Sequence, residues 1–299
     1  MAIARKRQVS LVDTKYYHCI SRCVRRAFLC GVDNFTNQSY EHRRGWVESK
    51  LLALANVFCI DVCAYAVMSN HTHLVLYVDD KKAKRLTDKA IIQRWHRLCK
   101  GTVLTNKYLQ GEELSKIEWL FLNETISEYR ERLANISWFM RLLNEDIARR
   151  ANKEDNCTGR FWEGRFKSQA LLDEAALIAC MAYVDLNPIR AKAATTPETS
   201  EHTSVKIRIE SATAGKQPKQ LLRFSGKPKK HMAKGLPFAL KSYLELVELT
   251  GRCIREGKAG YIESSTLPLL QRVNITPENW LKLTTQFSRV FHGAVGRPA

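Results

Sequence analysis

Apolar positions along the first eighty residues change period twice. In DTKYYHCISRCV (13–24), Tyr17, Cys19 and Ser21 share one parity and His18, Ile20 and Arg22 the other, which predicts a strand. Trp46, Val47, Leu51, Leu54 and Ala55 then fall on one helical face, predicting a helix over 41–57. Two short β-like runs follow, 58–67 and 71–79, around a polar corner at Met68 to Asn70, so a hairpin is expected. A helix at about 86–101 carries Ile91, Ile92, Trp95 and Leu98. The acidic stretch 102–133 reads as a helical insertion, and 135–150 as a helix with Ile136, Phe139, Met140, Leu143 and Ile147 on one face. Residues 156–172 read as a loop and an extended segment. Asp173 is then a candidate N-cap for a helix over 174–187, which Pro188 limits.

The order of these elements predicts an α+β fold: a ferredoxin-like antiparallel sheet covered by helices on one face, with a basic, mostly helical C-terminal extension. The polar Thr/Ser/Pro run at 193–204 suggests a boundary. The expected organisation is a main domain over 1–195, a linker and basic arm over 196–236, and a small helical module over 237–299. Residues 205–235 hold nine Lys or Arg against Glu210 alone, with Gly and Pro breaking any period, so this arm is expected to be flexible or to order only on a partner.

Charge narrows the partner. The chain carries a net +18, a field that favours polyanions and above all nucleic acid. No apolar run is long enough for a membrane span, so no membrane partner is expected. The start, MAIARKRQVS, has no apolar core behind its charges, which points to the cytosol. Nine scattered cysteines without a CxxC read as buried thiols rather than a zinc site or a disulfide framework.

Two stretches carry chemistry. By strand alternation His71, His73, Val75 and Tyr77 share one face, and Thr72, Leu74, Leu76 and Val78 the other. The second set is the better core face, which leaves two imidazoles projecting together, ~7 Å apart along the strand. Such a pair can grip one divalent cation; alone, it is equally a pair of surface histidines. In ALIACMAYVDLNPIRA (176–191), Tyr183 and Asn187 lie four residues apart and so on one side of a helix. Tyr183 is either a nucleophile or an interfacial aromatic. Asn187 is either an oxygen ligand or a helix-terminal residue before proline.

With these stretches in view, residues 8–195 resemble the single-tyrosine HUH transposases of the insertion-sequence-200 type, especially the REP-associated tyrosine transposases. The resemblance rests on YYHCISRCV, YAVMSNHTHLVLYVD, GRFWEGRFKSQALL and MAYVDLNPIRA, in that order and at similar spacing. It implies that His71, His73 and Asn187 ligate Mg²⁺ or Mn²⁺, and that Tyr183 attacks single-stranded DNA beside a hairpin. It implies a 5′-phosphotyrosine link and a free 3′-OH, an exchange of one phosphodiester for another that needs no ATP. It leaves open whether the chain works alone or as a homodimer. One departure is Thr72, where the family has a bulky hydrophobe. By alternation it points into the core, where an unpaired hydroxyl costs ~1–3 kcal/mol.

Arg160, Arg165 and Lys167, interleaved with Phe161, Trp162 and Phe166, suit strand tracking and base stacking, with Trp162 the stacking candidate; core aromatics with solvated charges are the alternative. Arg5, Lys6, Arg7, Arg25, Arg26, Lys227, Lys229 and Lys230 are further candidate DNA contacts. Two rival readings stand beside the transposase: a DNA-binding regulator that keeps the fold without catalysis, and a metal nuclease that uses water.

Overall fold

A computed structural model describes residues 9–24, 29–33, 37–226, 234–255, 270–271, 273–291 and 293–296. Chain order runs β1 (Tyr16–Arg22), α1 (His42–Val57), β2 (Ile60–Val67), β3 (His71–Val78), α2 (Asp80–Arg85), α3 (Asp88–His96), α4 (Val103–Gln110), α5 (Lys116–Leu133) and α6 (Ile136–Glu154). Then come β4 (Lys167–Leu171), α7 (Glu174–Asp185), α8 (Asn187–Arg190), α9 (Ser204–Thr213), α10 (Leu240–Arg255) and α11 (Pro277–Val290). The strands form a four-stranded antiparallel sheet in the order β2-β3-β1-β4. The fold is α+β, as expected, with a ferredoxin-like strand order. Met68 N–H donates to His71 O at 2.9 Å and closes the β2–β3 hairpin over Ser69 and Asn70.

The parity of β3 holds. Leu74, Leu76 and Val78 join Tyr17 and Cys19 of β1 in a core roofed by α1 and α6, through Val47, Leu51, Leu54, Phe139, Leu143 and Ile147. Thr72 belongs to this face. It is buried, and its Oγ1 has no hydrogen-bond partner among the described residues. The stretch expected as a helical insertion is helical: α4 and α5 each begin at a capping box, on Thr102 and on Ser115 with Glu118.

The expectation of helices on one face only is corrected. The His71/His73/Val75 face is roofed as well, by α7 with α10 and α11 stacked against it. The reason is visible in α7 itself, whose residues from Ala176 to Asp185 are all buried. A helix that is apolar on every side needs cover on every side. Sheet below and extension above supply it.

Residues beyond 195 are tied into this sheet. Tyr65 N–H donates to Ser204 Oγ at 2.9 Å, and Val67 N–H to His202 O at 3.1 Å, along β2. Leu222 N–H donates to Val62 O at 2.8 Å. At the other end Leu172 N–H donates to Val295 O at 2.7 Å, and Val295 N–H to Ala170 O at 2.9 Å, beside β4. The run expected as a linker thus ends in buried Thr203 and Ser204, and the expected arm begins with α9, whose Arg208 is fully buried against the Cys63 and Leu222 carbonyls. Polar residues there serve as β-edge partners and caps, which composition alone reads as solvent-facing.

Candidate active site

β3 sets His71 and His73 two residues apart, with ring centroids 4.7 Å apart. Opposite them β1 presents His18 on the same sheet face, paired with Val75 in the register. His73 Nδ1 and His18 Nε2 are 2.9 Å apart. His71 Nδ1–H donates to Asn70 Oδ1 at the hairpin corner. Burial, reinforced by nearby cations, pulls the His71 imidazole down to about 4 and His73 well below its ordinary value. Burial does the same to His18, also to about 4. All three rings are therefore neutral near pH 7, the state in which an imidazole donates a lone pair to a metal.

Tyr183 comes to the pair from above, on the last full turn of α7. Its ring stands edge-on to His73 at 5.6 Å and to His18 at 6.2 Å. Phe287 of α11 lies against it at 5.7 Å, and the Arg190 guanidinium sits 3.9 Å from its centroid. Arg190 Nη1 donates to Tyr183 O at 2.7 Å and to Thr284 O at 2.8 Å, so one cation ties α8, α7 and α11 together. Burial pulls that guanidinium down to about 10. Tyr183 is 9% exposed, and its exposed part looks into a cleft of about 580 Å³ shared with His71, His73, Arg22, Glu163, Arg165, Lys167 and Ser288.

Asn187 does not line that cleft. α7 ends at Asp185 and α8 starts at Asn187 with Pro188 beside it, so Tyr183 and Asn187 do not ride one continuous helix. The Asn187 side chain is buried, and its Nδ2 has no partner among the described residues. Trp162 is placed differently from a base-stacking platform. It is buried and donates its indole N–H to Asn144 O at 2.8 Å, while Phe161 and Phe166 are buried with it. Arg160, Arg165 and Lys167 are exposed. Arg5, Lys6, Arg7, Arg25, Arg26, Lys227, Lys229 and Lys230 lie outside the described residues.

Sequence reasoning passed over His18, Glu163, Arg190 and Ser288. His18 was visible in β1 at the parity that faces His73, but only the strand order reveals the neighbour. Ser288 came with α11, whose place nothing in its own pattern announces.

Two neutral imidazoles with Nδ1 engaged leave each Nε2 without a partner among the described residues, which fits a divalent cation. No group of three or more His, Cys, Asp or Glu side chains among the described residues is placed to hold a metal, so a cation here would take its remaining ligands from substrate oxygens and water.

No family model matches the chain, and no curated protein does. Among solved structures, the chain is similar to one described as the structure of a REP-associated tyrosine transposase bound to a REP hairpin. The TM-score is 0.39 and the identity 10%, covering 79% of this chain and 97% of that one.

Proposed function

We propose that the protein is a metal-dependent DNA strand transferase that cleaves and rejoins single-stranded DNA beside a hairpin through Tyr183. The observation that carries this reading is the convergence of His71, His73 and Tyr183 on one cleft rimmed by Arg22, Arg165 and Lys167. The transposase-like motifs mark the same trio. Cationic side chains at the rim suit the phosphate backbone of a single strand.

His71 and His73 would hold the cation, Mg²⁺ or Mn²⁺, which when bound acts as a Lewis acid on the scissile phosphate. Tyr183 supplies the nucleophile. Its phenolic oxygen bonds to phosphorus as the bond to the 3′ oxygen breaks. The phenol gives up its proton and the departing 3′ oxygen gains one, leaving a 5′-phosphotyrosine and a free 3′-OH. Arg190 over the ring face and Phe287 beside it restrict the ring, so Tyr183 spends little entropy in reaching its reactive pose.

The test is a labelled hairpin oligonucleotide incubated with Mn²⁺ and run on a denaturing gel. The wild-type chain should give a covalent adduct; Tyr183→Phe should give none yet shift the same oligonucleotide on a native gel. An undiminished adduct from Tyr183→Phe rules out the assignment. A second reading, a DNA-binding regulator without catalysis, is favoured by Asn187 lying outside the cleft and by the packing of Phe287 on Tyr183. It predicts the native-gel shift and no adduct from either protein.

A further inference from the structure

The C-terminal extension reaches the histidine pair through a chain of hydrogen bonds whose directions can be argued from the end that can only accept. Its origin is the main-chain carbonyl of Phe291, just past α11, which can only accept. Gln169 Nε2 lies 3.0 Å from it and donates. The amide is thereby oriented, and its Oε1 faces His18 Nδ1 at 3.5 Å. Oε1 can only accept, so His18 carries its proton on Nδ1. The other nitrogen of that neutral ring, Nε2, is then a bare lone pair. His73 Nδ1 is 2.9 Å from it and must be the donor. A neutral imidazole that keeps its proton on Nδ1 offers its lone pair at Nε2.

We infer that Gln169 and His18 are positioning residues that lock His73 in its metal-ligating tautomer, and that the C-terminal segment sets this lock through the Phe291 carbonyl. The inference rests on the reading of His71 and His73 as ligands of a divalent cation. The lock matches the arrangement at His71, where Asn70 Oδ1 holds the proton on Nδ1, so both rings aim Nε2 lone pairs. Without it, His73 would exchange its proton between two nitrogens, and a cation would pay to select one form. Outer partners of ligating histidines are worth about 10–100-fold in metal affinity.

The relay also gives Phe291 a role that burial alone would not. Val295 and Phe291 fasten the extension to β4 at two neighbouring points, Ala170 and Gln169. A chain that had not docked its last segment would lack the acceptor that orients Gln169. Ligand geometry at His73 is thus coupled to completion of the fold.

The experiment is histidine nitrogen NMR on the full-length protein without metal, followed by Mn²⁺ titration read by electron paramagnetic resonance. In the wild-type chain the His73 resonances should show Nδ1 protonated and Nε2 bare. Gln169→Leu, close in size but unable to accept from His18, should move His73 toward a mixture of tautomers and weaken Mn²⁺ about 10–100-fold. Gln169→Glu still accepts from His18. It should keep the wild-type tautomer and hold Mn²⁺ within a few-fold, while amide exchange near Phe291 quickens. Wild-type His73 protonated on Nε2 overturns the inference, and so does a Gln169→Leu variant with unchanged tautomers and affinity. The tautomer is read before metal or DNA is added. An adduct surviving Tyr183→Phe would therefore sink the functional reading and leave the relay standing, and a wrong tautomer beside a normal adduct would do the reverse.

Discussion

Thr72 shows how far one side chain can be reasoned about. Strand alternation sends it away from the histidines, into the core under α1 and α6, and its hydroxyl is buried there with no partner among the described residues. Replacing it with the isosteric Val removes an unpaired polar group and keeps the branched shape that a strand prefers. Thr72→Val should stabilise the protein by about 1–2 kcal/mol in urea denaturation, with Mn²⁺ affinity unchanged. Loss of stability would mean that the hydroxyl has a partner, most simply a buried water. Trp162 makes the opposite point. Basic and aromatic interleaving is the same pattern whether the rings face a strand of DNA or the protein's own interior. Asn144 O decides for the interior by taking the indole N–H.

At the scale of the element, α7 is held from three directions, and Asp185 at its end is the fastening. Tyr243 OH of α10 donates to Asp185 Oδ2 at 2.6 Å, Val205 N–H of α9 to Oδ1 at 3.1 Å, and the Ser204 hydroxyl donates to Oδ1 too. Arg208, fully buried, is its nearby counter-charge. Asp185→Ala would strip the acceptor from three donors and leave a buried guanidinium uncompensated. A loss of about 3–5 kcal/mol is expected in chemical denaturation. A loss below about 1 kcal/mol would show that water replaces the carboxylate. Tyr183 is two residues away on the same turn, so this anchor also fixes the approach of the phenol to His73.

For the whole molecule, the residues past 195 act as edge covers. Thr203 and Leu221 lie along β2, Val295 lies along β4, and these are the two outer strands of the sheet. Exposed edge strands pair with other chains. A fragment ending at residue 195 should therefore be aggregation-prone, and it also bares the apolar outer face of α7. A monodisperse, cooperatively folding 1–195 fragment in sedimentation and thermal melts would contradict this. The cysteines report on the same packing. Cys19, Cys23, Cys30, Cys59, Cys63 and Cys180 are buried, whereas Cys99, Cys157 and Cys253 are half-buried. Burial pushes the Cys30 thiol up to about 12 and Cys180 well above its ordinary value. Under native conditions at pH 8, iodoacetamide followed by mass spectrometry should label the second group and spare the first.

Local patterning was sufficient for the strands, the hairpin, the helices α1, α3, α5, α6 and α7 and the shared face of His71 and His73, but not for the short α2 or for the break that separates α8 from α7. Period and parity are properties of neighbouring residues, and covalent geometry enforces them wherever the chain goes. The same logic placed Thr72 in the core and Tyr183 on a helix that needed burial. Tertiary structure alone decided that His18 would stand beside His73, that Phe287 would pack on Tyr183, that Ser288 would line the cleft, and that Gln169 would answer to Phe291. Those pairs are separated by tens to more than a hundred residues. They meet only because a buried helix needed a roof and a sheet needed its edges closed, demands that no short window of sequence expresses.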